Sequence, residues 1–116
     1  MASKRDMVRA LKKARKLIAK KEKWTKGSYH DYSNGAFCAI GALREADGPG
    51  EYAAYKALGF AVTSLHPKTA AARSAQDPES VVITFNDRKK TKHEDVLAIF
   101  DFAIENADKV VINGSN

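Results

Sequence analysis

The stretch Asn34-Gly35-Ala36-Phe37-Cys38-Ala39-Ile40-Gly41-Ala42-Leu43 decides how the rest of the chain is read. Asn34-Gly35 is a turn signal, because both residues tolerate the left-handed backbone. Small and apolar residues follow it. Cys38, Ala39, Gly41 and Ala42 project so little bulk that another element can approach the backbone closely. The spacing predicts a helix over 36–46 at the centre of a packed core, stopped by Asp47-Gly48-Pro49-Gly50.

Toward the N-terminus, Trp24 to Gly35 is a loop rich in turn formers, and its aromatics Trp24, Tyr29 and Tyr32 suggest packing down onto the core. Before it, Ser3-Lys4-Arg5-Asp6 has the form of a capping box, with aspartate in place of the usual glutamate. Met7, Val8, Leu11, Ala14, Leu17 and Ile18 then recur at three- and four-residue spacing. That predicts an amphipathic helix over 1–23.

Toward the C-terminus, Tyr52, Tyr55, Leu58, Ala61, Val62 and Leu65 form the stripe of a helix over 51–65, which His66-Pro67 ends. Residues 68–80 are small and polar and read as an exposed connection with at most one helical turn. Ser80-Val81-Val82-Ile83-Thr84-Phe85 is β-branched and reads as a short strand. Thr91-Lys92-His93-Glu94 is a capping box that opens a last helix over 92–108, with Val96, Leu97, Phe100, Ala103, Ile104 and Ala107 inward. The expected fold is mainly α: one compact domain over 1–116 of about four helices. A two-stranded β-ribbon from 81–85 and 110–113 is the one optional addition.

A length of 116 residues and an apolar content of 44% suit one modest core and argue against disorder of the whole. A single cysteine excludes an internal disulfide, and no Cys/His group has zinc-site spacing, so neither a metal nor a cofactor is expected. The first residues lack the apolar core of a signal peptide, and no run is long enough to span a bilayer, so a cytoplasmic protein that does not act at a membrane is expected. The net charge of +6 is unevenly placed: residues 1–26 hold eleven Lys and Arg against Asp6 and Glu22, while the remainder is mildly acidic. Such asymmetry points to an anionic partner.

Trp24-x-x-Gly27, Cys38-Ala39-Ile40-Gly41-Ala42, Phe85-Asn86-Asp87 and the helix opened by Thr91 form a pattern across residues 20 to 107. It resembles a family of small uncharacterised proteins, a domain of unknown function found in actinobacteria, other bacteria and their phages. Phe85 stands where tryptophan is common in that pattern, and Arg88-Lys89-Lys90 makes the link to Thr91 more basic. The resemblance implies a mostly helical fold and a phage or prophage origin. It implies no activity.

Three groups of residues are candidates for chemistry. Cys38 sits near a helix N-terminus, where the dipole favours thiolate, and His66 and then Asn86 or Asp87 follow it in the order nucleophile, base, orienter. Against that, the chain lacks the β-subdomain and local cysteine signature of papain-like enzymes, and a free cysteine commonly serves as a small packing residue. Asn86-Asp87 is either a ligand-facing pair or a polar turn that shapes the start of the last helix. Arg5, Arg9, Lys12, Lys13, Lys16 and Lys20 crowd the first helix beyond what solubility needs, with no motif that reads bases. The expected function is therefore a non-enzymatic accessory protein binding an acidic partner, nucleic acid or host protein, through that helix. A modulator of a host process fits the same reading. The alternative is a small cysteine-dependent hydrolase or transferase using Cys38 and His66.

Overall fold

The computed structural model describes residues 3–73 and 77–110. Six helices occur among the described residues: α1 (Lys4–Leu17), α2 (Ala39–Ala46), α3 (Glu51–Leu65), α4 (Ala70–Arg73), α5 (Pro78–Asp87) and α6 (His93–Glu105). One small hairpin, β1 (His30–Asp31) and β2 (Ala36–Phe37), stands between α1 and α2. The mainly helical expectation holds, with six helices in place of about four.

The capping box at Ser3 forms as the sequence predicts: Asp6 N donates to Ser3 Oγ at 3.1 Å and Ser3 N to Asp6 Oδ2 at 3.2 Å. The helix ends at Leu17, and Lys21–Lys23 is a separate 3-10 turn. α3 has the predicted bounds. The second helix begins later than predicted, because Ala36–Phe37 is extended and pairs with β1, leaving Cys38 as the N-cap. The last helix opens one residue late as well: Lys92 N donates to Asp95 Oδ2 at 2.9 Å, while the hydroxyl of buried Thr91 accepts from Arg88 Nη1 at 3.2 Å.

The predicted strand over 80–85 is a helix. Asp77 caps it, its Oδ1 accepting from Ser80 N at 2.9 Å, and Pro78 occupies the first turn, where a missing N–H costs nothing. Val81, Val82 and Phe85 then fall on one helical face and are buried. Packing overrides their β propensity. The ribbon over 81–85 and 110–113 therefore does not form; of its second half, 111–113 lie outside the described residues. The antiparallel pair is instead the hairpin, with His30 opposite Phe37 and Asp31 opposite Ala36.

The central helix is α3, not α2. α3 packs against α1, α2, α4, α5 and α6, and Ala53, Ala54, Tyr55, Ala57, Leu58, Ala61 and Val62 are buried around it. Tyr52, Phe60 and Thr63 leave one face of it in solvent, and the rest is enclosed by its neighbours. The connection over 68–80 is less open than predicted: α4 packs on α3 and α5 and buries Ala71, and residues 78–80 already belong to α5.

Small residues at 38–42 do permit a close approach, but to a loop. A Cβ on Gly41 would stand 1.9 Å from the carbonyl oxygen of Tyr29. Gly50 serves α3 similarly, with φ +92° and the backbone of Asp6 and Met7 where a side chain would be. The two glycines seat the loop that enters the hairpin on α2 and the start of α3 on α1.

Candidate functional site

The residues of the quoted pattern converge on one side chain. Asn86 is fully buried and uses all its hydrogen-bonding capacity. Its Oδ1 accepts from Trp24 Nε1 at 2.8 Å and from Ala39 N at 3.1 Å. Its Nδ2 donates to Thr25 O at 3.1 Å and to Asp87 Oδ1 at 2.9 Å. Asp87 Oδ1 also accepts from Gly27 N at 3.0 Å. One amide thus ties the end of α5 to the loop at 24–27 and to the first turn of α2. This is wider than the local turn that the sequence suggests for Asn86-Asp87.

Asp87 and Cys38 share a cavity of about 350 Å³ with Gly27, Ser28, Tyr29 and Ile83. Cys38 is 3% exposed, and its Sγ accepts from Gly41 N at 3.3 Å, as an N-cap acceptor does. Burial pushes its thiol above the ordinary value, more than the Gly41 amide pulls it back. The helix N-terminus is therefore outweighed by desolvation. His66, the candidate base, lies at the C-cap of α3 with its ring 4.6 Å from that of Phe85. It lines a different cavity, of about 770 Å³, with Lys68, Arg88, Lys89 and Lys90. The structure brings Asp87 to Cys38 and places His66 elsewhere.

That second cavity carries four cations, Lys68 and the three of the basic link before Thr91. The run Arg88-Lys89-Lys90 was the available signal; Lys68 joins it only because the α3–α4 link folds beside the α5–α6 link. Lys26 Nζ fixes this edge by donating to Arg88 O at 2.6 Å and Lys89 O at 3.3 Å. Among the described residues, no group of three His, Cys, Asp or Glu lies close enough to hold a metal ion.

The basic face of α1 has a different geometry. Met7, Ala10, Leu11 and Ala14 are buried beneath it, so the helix cannot turn. Arg5, Arg9, Lys12, Lys13 and Lys16 surround Val8 in one open depression of about 540 Å³. On the flank toward α6 the cations are neutralised: Arg15 Nε lies 2.7 Å from Asp101 Oδ1, and Lys4 pairs with Asp108. Asp6 is committed to its cap, and the Ser3 amide, above all, holds its carboxyl below the usual range. None of Arg5, Arg9, Lys12, Lys13, Lys16 or Lys20 forms an ion pair with a carboxylate of the described residues. Lys20 is exposed but lies beyond the depression, at the 3-10 turn.

Residues 3–106 match a family of unknown function, DUF6197, and the chain belongs to it. No curated protein and no solved structure matches the chain. Among the described residues, no helix is long and apolar enough to cross a membrane.

Proposed function

We propose that this is a non-enzymatic accessory protein that binds an acidic partner, the phosphate backbone of a nucleic acid, through the exposed face of α1. The observation that supports the reading is the distribution of ion pairs on that helix. The cations beside α6 have carboxylate partners, whereas Arg5, Arg9, Lys12, Lys13 and Lys16 form no ion pair among the described residues, although Asp6 lies close enough to Arg5 and Arg9 to feel their charge. Five like charges gathered on one exposed face make a positive potential that attracts a polyanion.

Arg5 and Lys16 are eleven residues apart, about 16 Å along the helix axis. At one charge per roughly 3.4 Å of each strand, that length faces about five phosphates. An acidic protein is the weaker choice of partner, because protein interfaces concentrate their energy in aromatic and apolar anchors. The depression offers only Val8. Phosphate contacts give affinity without reading sequence. The family resemblance supports a bacterial or phage source, where such a binder would act on host or phage nucleic acid.

Anisotropy titration against DNA and RNA at low salt tests the reading. Binding tighter than about 10 µM that weakens steeply with salt is expected, and no binding in that range overturns it. The cysteine-dependent hydrolase or transferase has less support, since Cys38 is buried with a raised pKa and His66 lines another cavity.

A further inference from the structure

We propose that the hairpin tip is a base-stacking platform, so that the polyanion bound along α1 is single-stranded nucleic acid; this rests on the phosphate-binding reading of α1. Tyr32 at the tip leaves 86% of its surface in water. Aromatic rings ordinarily supply some of the largest areas that a fold buries. Tyr32 nevertheless stands on a rigid base.

Its ring lies 4.0 Å from that of His30, centroid to centroid. His30 in turn stacks on Phe37 at 4.3 Å and an interplanar angle of 13°. Phe37 belongs to the hydrophobic core. The Tyr32 ring is tilted by 44° against His30, so three rings in contact lead from the core to solvent, with the outer one inclined.

The tip itself is tied down. Asp31 Oδ1 accepts from Ser33 N at 3.0 Å and from Ser33 Oγ at 2.6 Å, and Lys23 Nζ donates to Asn34 O at 2.9 Å. A ring held this way loses little freedom when it meets a flat partner, which is the advantage of a preorganised contact.

Charge says which flat partner. Lys23 belongs to the 3-10 turn that follows α1, and Lys20, Lys21 and Lys23 are all exposed there. The chain thus carries exposed cations from the end of α1 to the hairpin, where Lys23 reaches Asn34 O. Asp31 is occupied by its own turn, and Glu22 lies exposed among these lysines. A single strand matches both features at once, with phosphates on the cations and an unstacked base on Tyr32. A duplex keeps its bases stacked on one another and offers the ring only backbone.

The test is anisotropy at low salt with labelled single-stranded DNA, single-stranded RNA and duplex DNA of one sequence, each of about 12 nucleotides. Tyr32→Ala is expected to weaken single-strand binding roughly five- to hundredfold, to leave duplex binding unchanged, and to be rescued by Tyr32→Trp. The DNA and RNA arms show which strand is preferred. Because Tyr32 is exposed, its thermal unfolding should match the wild type. A Tyr32→Ala variant that binds single strands as the wild type does overturns the platform. If Lys12, Lys13 and Lys16 changed together to Gln still weaken binding in that case, the α1 reading survives. Absence of binding to all three ligands overturns both.

Discussion

Trp24 and Asn86 are 62 positions apart, yet the indole Nε1 donates to the Asn86 Oδ1 at 2.8 Å. The same oxygen also accepts from Ala39 N, so one acceptor joins α5 to the two segments that flank the hairpin. Asn86→Ala leaves the Trp24 and Ala39 donors and the Thr25 carbonyl unpaired in or near the core. Each orphaned group costs about 1–3 kcal/mol. Urea unfolding should therefore show a loss of at least about 3 kcal/mol, and a loss under about 1 kcal/mol would mean that the clamp is incidental.

Gly41→Ala should destabilise far beyond the usual helical preference for alanine. The added Cβ would stand 1.9 Å from the Tyr29 carbonyl oxygen, a backbone atom that cannot swing aside. Overpacking of this kind costs about 1–3 kcal/mol or more, and thermal unfolding of the variant measures it. A variant as stable as the wild type would contradict the seating of the loop on α2.

Cys38 should resist alkylation until the protein unfolds. Its thiol is buried and its pKa is raised, so little thiolate exists near neutral pH. Iodoacetamide modification followed by mass spectrometry, with and without denaturant, checks this. Rapid modification of the folded protein would restore the case for a cysteine-dependent enzyme.

Alkaline pH should weaken the fold through Tyr55. Burial, with a hydrogen bond from its hydroxyl to Glu51, pushes the phenol from an ordinary 10.0 to about 12. A raised folded pKa means that the unfolded chain releases this proton first. The contribution is thus fully present below pH 10 and is lost as pH rises toward about 12. Difference absorbance of the phenolate during a pH titration, beside a Tyr55→Phe variant, should show this ionisation coinciding with loss of structure. Ionisation near pH 10 in the folded protein would contradict the burial.

Much of this architecture is legible in the residues. Ser3 and Asp6 announce the start of α1, His66-Pro67 the end of α3, and the alternation of Met7, Leu11 and Ala14 with lysines the outward basic face. What misleads is local preference without tertiary context. Val81 to Thr84 are β-branched, and the Asp77-Pro78 start that makes them helical is only two residues long. Asn34-Gly35 marks a turn, but the strands beside it are two residues each, too short for a period-2 pattern. The role of Asn86 was hidden for a different reason. Its partners at 24, 25 and 39 are distant in the chain, and no spacing rule connects them. The cations of the His66 cavity were hidden likewise, because Lys68 and Lys90 meet only through two loops.

The salt dependence of binding tests the central claim most directly. If Arg5, Arg9, Lys12, Lys13 and Lys16 each neutralise a phosphate, the logarithm of the association constant for single-stranded DNA should fall with the logarithm of salt at a slope of about −3 to −4. Lys12, Lys13 and Lys16 changed together to Gln should flatten that slope by about 2 while leaving thermal stability unchanged, since all three side chains are exposed. An unchanged slope in the triple variant, or no binding at low salt by the wild type, would contradict a phosphate-binding role for α1.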